Sequence, residues 1–258
     1  MAQDKHWNYN PSVPAAVVVT VIFAALTIFH VFRLFRTRTW FCLPLIIGGI
    51  FEIIGYGARV VGHYNMFSLP PYIVQALLIL LAPILFAASV YMLLGRLIHA
   101  TAAEAYCIIR VSWITKIFVG SDILCFLVQA LGAGMLAGAN SVASKNRGKD
   151  VILAGLILQI VIFWFFLLVA LVFHRRLRAR PTGKSLDGGF SWEHFMFMLY
   201  CASVLITVRN IFRVIEYAMG EDGYFLQKEW PIYTFDALLM ANVLGISQMW
   251  YIGKMRPN

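Results

Sequence analysis

YIVQALLILLAPILFAASVYMLLGRLI, residues 72–98, carries no charged side chain before Arg96. About 20 apolar residues in helical form suffice to cross the hydrocarbon core of a bilayer. This stretch therefore argues for a membrane helix, and a window of about 19 residues moved along the chain finds six more. The seven lie at roughly 13–34, 41–61, 72–98, 114–139, 151–173, 192–218 and 230–251. The fold expected is an all-α integral membrane protein built as a seven-transmembrane-helix bundle.

Composition agrees. Of 258 residues, 61% are hydrophobic and 13% charged, whereas a soluble domain has roughly 45–50% apolar and about 25% charged residues. A soluble enzyme is excluded. The connections are short: Leu69-Pro70-Pro71, the polar run Asn140 to Asp150, and Arg180-Pro181-Thr182-Gly183 break the pattern at residues that punctuate helices. The organisation expected is an extracellular segment 1–12, one transmembrane domain 13–251 and a cytoplasmic tail 252–258. The polar start MAQDKHWNYNPS makes the first hydrophobic stretch a retained helix instead of a signal peptide. None of Cys42, Cys107, Cys125 and Cys201 falls outside the cell in this topology, so no extracellular disulfide is expected.

The net charge of +9 has a topological meaning. Basic residues beside short loops stay on the cytoplasmic side. One set of segments holds thirteen Lys and Arg, among them Arg36, Arg96, Arg110, Arg175, Arg178 and Lys254; the opposite set holds five. This predicts an outside N-terminus and a cytoplasmic C-terminus, with attraction to anionic lipid as the other use of the charge. Nothing else points to nucleic acid. The basic loop 174–191 is a candidate dock for a cytoplasmic partner.

The informative residues are the charges that hydrocarbon should exclude. Glu52 and Arg59 lie in the second span, Asp122 in the fourth, Arg209, Arg213 and Glu216 in the sixth and Asp236 in the seventh. A central charge costs roughly 2.5–3.5 kcal/mol on insertion scales, so such groups pair or line a wet cavity. Glu52, Tyr56 and Arg59 are spaced i, i+4, i+7, as are Arg209, Arg213 and Glu216, and Glu229, Tyr233 and Asp236. That spacing puts each triplet on one helical face. Asp122 and Gln129 are also seven apart, and Gln75 sits near the start of the third span.

In the expected topology Arg59, Arg209, Arg213, Glu216 and Asp236 fall in the outer half of the bilayer, with Glu52 nearer the middle and Asp122 apart toward the cytoplasm. Three arginines then face Glu52, Glu216 and Asp236, a balanced set. Two readings are open: ion pairs that fix helix register, or a pocket open to the outer leaflet whose members exchange an internal partner for a ligand's phosphate, carboxylate or amine.

Smaller signals include Gly134 and Gly138 as a GxxxG in the fourth span and Gly48, Gly49, Gly55 and Gly57 in the second, both read as close helix packing. Pro83 implies a kink. Trp40, Trp113, Trp192, Trp230 and Trp250 read as interfacial anchors.

Other chemistry is missing. Gly183-Lys184-Ser185 looks like the end of a phosphate loop, but position 178 is Arg where the motif needs Gly. No pair of histidines on one helix suggests zinc, and the seventh span has no central lysine for a retinal Schiff base. No cofactor, metal or catalytic set is expected, and an intramembrane hydrolase is disfavoured.

These residues resemble the RTA-like, lipid-translocating exporter family of fungi. The match runs through Phe51-Glu52, Gly55-Tyr56 and Arg59; Gln75, Ala82-Pro83 and Ala87 to Tyr91; Asp122, Gln129 and Gly132; Gly155 and Gln159; Arg209, Phe212-Arg213, Glu216 and Gly220; and Glu229, Tyr233, Asp236 and Met240. The resemblance implies seven helices in a fungal membrane, with the plasma membrane as the expected location. It also implies a role in handling phospholipid, sphingoid base, porphyrin or toxic amphipath. The function expected is a non-ATPase translocase of such molecules, with a seven-helix lipid or stress sensor as the alternative. Its candidate substrate-binding residues are Glu52, Tyr56, Arg59, Gln75, Asp122, Gln129, Arg209, Arg213, Glu216, Tyr233 and Asp236.

Overall fold

The computed structural model describes residues 12–64, 69–138, 141–186, 191–219 and 228–251. The expected outer segment, except Ser12, and the expected cytoplasmic tail lie outside these residues. Helices α1 (Val13–Thr37), α2 (Leu43–Tyr64), α3 (Leu69–Ala100), α4 (Val111–Ala137), α5 (Val142–Ala179) and α6 (Trp192–Met219) follow one another. A last stretch, α7 (230–250), is π-helical at Ile232–Ala237, α-helical at Leu238–Ser247 and 3-10 at Gln248–Trp250. Single helical turns occur at Trp40–Cys42, Glu104–Tyr106 and Gly183–Leu186. Strands are absent among the described residues. Six helices are long and apolar enough to cross a membrane.

The ends of these helices have local causes. Pro14 stands in the first turn of α1, where its missing N–H is not needed. Arg38 ends that helix in the left-handed region (φ 54°), its N–H bonded to the Leu34 carbonyl at 2.7 Å. The run 140–150, expected as a loop, is helical from Val142 onward because the Ser141 hydroxyl accepts the Ser144 N–H at 3.2 Å. At 38 residues, α5 is about 57 Å long at 1.5 Å per residue. It outruns a bilayer core, so its polar start is compatible with helix outside hydrocarbon.

Neighbouring helices run antiparallel. Phe23 stacks on Tyr56 while Thr27 meets Gly49; Gly48 faces Phe86 while Gly55 faces Ile79. Tyr200 lies against His174, and Lys149 donates to the Ala218 carbonyl at 2.9 Å. α1 and α7 instead run parallel, joined at both ends. At one end the Ser12 N–H donates to Glu229 at 2.8 Å; at the other Arg33 donates to the Gln248 carbonyl at 2.5 Å and His30 contacts the Leu244 carbonyl at 2.9 Å and Tyr251 at 3.0 Å.

Glycine does pack the helices, but not where GxxxG predicted. A Cβ on Gly134 would meet nothing within 4 Å, and one on Gly138 only its own helix's Gly134 carbonyl. The α4–α5 seam uses Gly132, Gly148 and Gly155 instead, with a Cβ on Gly132 falling 2.9 Å from the Gly148 carbonyl and the Ile152 nitrogen. In α2, Gly48, Gly49 and Gly55 are cradled as expected, whereas Gly57 is open. Two anchoring tryptophans are also corrected: Trp40, Trp113 and Trp230 are exposed, but Trp192 and Trp250 are buried in the core. A spacing pattern identifies a face without saying whether that face looks at protein or lipid.

The two positions in α4 make a controlled comparison. Gly132→Ala forces backbone apart and is expected to cost about 1–3 kcal/mol, whereas Gly134→Ala leaves stability unchanged or slightly raised. Thermal unfolding of the two purified variants in micelles checks this; equal melting temperatures would refute the packing assignment.

Candidate functional site

Three helices bring their polar faces together at the Ser12–Glu229 end of the bundle. α2 supplies Glu52, Tyr56 and Arg59; α6 supplies Arg209, Asn210, Arg213 and Glu216; α7 supplies Tyr233 and Asp236, and Glu229 stands immediately before it. Asp236 is the junction. Its Oδ1 accepts from Arg209 Nε at 2.6 Å and its Oδ2 from Arg213 Nη2 at 2.6 Å. Arg213 Nη1 also donates to Glu216 at 2.9 Å. Arg59 pairs with Glu229 at 3.1 Å and donates to the Tyr233 hydroxyl at 3.2 Å, its guanidinium lying 5.5 Å above the Tyr233 ring. Tyr233 in turn donates to Glu229 at 3.0 Å.

The backbone is shaped for these contacts. The α7 residues sit on the π-turn, where the Leu238 N–H reaches back to the Tyr233 carbonyl. Single π-turns recur at functional sites, and this one sets the direction in which Tyr233 and Asp236 project. On α3, Pro83 has no N–H to give the carbonyl four residues earlier. That carbonyl belongs to Ile79, and Arg209 Nη2 donates to it at 2.9 Å. The arginine thus satisfies the acceptor that the proline frees. α3 continues through Pro83 without a break in helix.

The group is buried: Glu52, Arg59 and Arg209 are 1% exposed and Asp236 0%. Glu229 at 19% and Arg213 at 11% are more exposed. In this conformation the cluster is closed. Charge can be counted pair by pair. Arg59 has Glu229, Arg209 has Asp236, and Arg213 shares Asp236 and has Glu216. Among the described residues three cations meet three anions without Glu52.

Glu52 is the fourth acid. It lies among Arg209, Arg213 and Asp236, yet among the described residues neither of its buried oxygens has a hydrogen-bond partner. Tyr56, one turn away with its ring stacked on Tyr233 at 6.1 Å, has a buried hydroxyl in the same condition, as has the Arg213 Nε. The expected balance of three arginines with Glu52, Glu216 and Asp236 is therefore corrected, since Glu229 takes the place given to Glu52. Asn210, 3.5 Å from Arg209 Nη1, and the Ile79 carbonyl were not foreseen.

The remaining candidates divide. Gln75 lies on α3 one turn before Ile79, buried, its Oε1 without a partner. Asp122 and Gln129 belong elsewhere. Asp122 accepts from Tyr91 at 2.8 Å and Gln129 donates to Gln159 at 2.9 Å, tying α4 to α3 and α5. Tyr91 is twelve residues beyond Ile79 on α3, about 18 Å along the helix axis.

Residues 45–258 match the family described as RTA1 like protein. The chain belongs to that family. Among its relatives, Protein RTM1 of Saccharomyces cerevisiae is 38% identical over 207 residues, covering 79% of this chain and 65% of RTM1. The chain thus spans just under two thirds of that relative's length. Protoporphyrin uptake protein 1 of the same species is 31% identical over 273 residues, 92% of this chain and 89% of the relative. Sphingoid long-chain base transporter RSB1 of S. cerevisiae is 26% identical over 263 residues, 90% and 69% respectively. No solved structure matches. With six apolar helices of spanning length, this RTA1-like protein is an integral membrane protein.

The basic run of this family member is helical as far as Ala179. Arg176 donates to the Tyr106 carbonyl and Thr182 to the Thr101 carbonyl, which ties the run to the α3–α4 connection. Residues 187–190 of the loop expected to dock a partner lie outside the described residues.

The cluster predicts unequal costs for its acids. Asp236→Ala strips two buried guanidiniums of a partner and is expected to destabilise by about 3–5 kcal/mol. Glu216→Ala leaves Arg213 paired with Asp236, so its cost is closer to that of one charged hydrogen bond, about 1.5–3 kcal/mol. Thermal unfolding in micelles measures both; an equal or reversed order would contradict Asp236 as the junction.

Proposed function

We propose that this protein is a translocase of amphipathic, lipid-like molecules, working without ATP hydrolysis of its own. Seven spans carry it, with the N-terminus outside and the C-terminus cytoplasmic, and the cargo's headgroup binds in the α2–α6–α7 cluster. Support for the seventh span comes from the parallel run of α1 and α7, since two segments that run parallel from one end of the bundle to the other cross the same layer in the same direction. An odd number of crossings requires that arrangement of first and last helices. Support for the orientation comes from the ties that join Arg33, Arg96, Arg176 and Thr182 to Gln248, Phe41, Tyr106 and Thr101 at one end. That end holds most of the basic residues, as a cytoplasmic face does.

The observation that carries the reading is the unpartnered carboxyl of Glu52. Each arginine is engaged by at least one carboxylate, so among the described residues the charged side chain of the cluster left with no ionic partner is an acid. A vacant acid selects a cationic headgroup over an anionic one, and the buried, unpartnered hydroxyl oxygen of Tyr56 one turn away offers a further lone pair toward an ammonium. The names of two relatives, a sphingoid long-chain base transporter and a protoporphyrin uptake protein, support amphipath movement within the family. The closed cluster is then the occluded state of an alternating site, and the Pro83–Ile79–Arg209 contact is where α3 senses whether the cluster is filled.

Reconstitution tests this. The full chain in liposomes is expected to speed leaflet exchange of a fluorescent N-trimethylated sphingoid base, a fixed cation, at least tenfold over empty liposomes. Glu52→Gln removes most of that gain. A matching chain with a carboxylate headgroup gains much less. Exchange at the empty-liposome rate, or equal acceleration of both headgroups that survives Glu52→Gln, would overturn the proposal; binding without exchange would favour a sensor.

A further inference from the structure

We propose that Glu52 is a proton-exchanging carboxyl: it holds a proton while the site is empty and releases it when a cationic headgroup takes its place, coupling cargo movement to a proton gradient. The inference rests on the reading above and supplies the energy source that the reading leaves open. Two observations carry it. Among the described residues the ion pairs of the cluster close without Glu52, so ionising it would add a negative charge to a set already balanced. Both its oxygens are also buried with no donor among the described residues. An ionised carboxylate without a partner is among the costliest groups to bury, and a neutral acid avoids that cost.

The surroundings of Glu52 favour a proton over a guanidinium as its partner. From α6 it faces Arg209 and Arg213, and from α7 Asp236. On its own helix Tyr56 and Arg59 follow at one and two turns. Among the residues with which α1 and α3 press on α2 are Phe23, Thr27, Ile79 and Phe86, all uncharged. Both α6 arginines are committed to Asp236, each at 2.6 Å, and the charge of Asp236 opposes theirs at Glu52.

The exchange balances. In the empty site the Glu52 carboxyl is neutral and the three ion pairs cancel. On loading, the O–H bond breaks, the proton leaves to the water on the open side, and the carboxylate takes the ammonium. The cluster is neutral in both states, so loaded and empty forms reorient without carrying net charge through hydrocarbon. One cation moves for each proton returned.

The test uses the same fixed-charge cargo, whose distribution pH alone does not alter because it has no neutral form. Proteoliposomes carry an internal pH indicator and have their membrane potential clamped. A one-to-one exchange holds about a tenfold concentration ratio of cargo for each pH unit imposed, toward the acidic side. The internal pH rises as cargo enters, and dissipating the gradient abolishes accumulation. In purified protein, the infrared difference between cargo-free and cargo-bound samples is expected to show a neutral carboxylic acid band lost on adding cargo, a loss absent from Glu52→Gln. If cargo equilibrates to equal concentrations across an imposed gradient, while exchange stays protein-dependent and sensitive to Glu52→Gln, coupling is overturned and translocation stands. If exchange never exceeds that of empty liposomes, translocation itself fails. A cargo-induced loss of that band that persists in Glu52→Gln, or that fails to occur in the wild type, overturns the assignment of the proton to Glu52.

Discussion

One carboxylate holds two arginines in a place where neither has water to turn to. Asp236 receives Arg209 on one oxygen and Arg213 on the other, and each guanidinium passes the tie onward, to the Ile79 carbonyl on α3 and to Glu216 on α6. In a bilayer, helices gain little from burying apolar faces against one another, because lipid tails are equally apolar. Polar groups that find satisfaction only in one arrangement then decide which helices meet. Here they join α3, α6 and α7, while Arg59 and Glu229 bring in α2, and the Ser12 N–H on Glu229 brings in α1.

A proline gives this network its reach. Interior proline is tolerated in membrane helices when another group satisfies the backbone carbonyl it orphans. For Pro83 that group is the side chain of Arg209. The geometry of α3 is consequently tied to the charge state of a neighbouring helix: if Arg209 shifts with its acid partner, a carbonyl inside an apolar helix loses its donor. Gly48 lies within reach of the next turn, where a Cβ would stand 3.1 Å from the Ala82 carbonyl, so α2 follows α3 closely at the same level.

Much of this was legible in the sequence, for a physical reason. Long uncharged runs locate helices because a bilayer core has a fixed thickness, and charges spaced i, i+4, i+7 identify a shared face because the α-helix has a fixed period. The meeting of Glu52, Arg59, Arg209, Arg213, Glu216 and Asp236 followed from those two constants, as did the separation of Asp122. Partner choice did not follow. Glu229, immediately before α7, displaced Glu52 from the charge balance, and position along the chain does not tell which of two acids an arginine will reach. Likewise Gly134 and Gly138 have the spacing of a packing seam but look outward, since orientation about the helix axis depends on neighbours that a single segment does not specify. Polarity misled at 142–150, where a serine cap extends α5 through residues that composition assigns to a loop.

The contact between first and last segments bears on how the protein is made. Arg59, Arg209 and Arg213 all precede Glu229 and Asp236 in the chain, so during synthesis three guanidiniums enter the membrane before two of their acids exist. The nascent bundle has to keep those residues near water, or within the insertion machinery, until the final segment emerges. A ribosome that stops before residue 229 therefore delivers a product marked as unfinished by its own uncompensated charge.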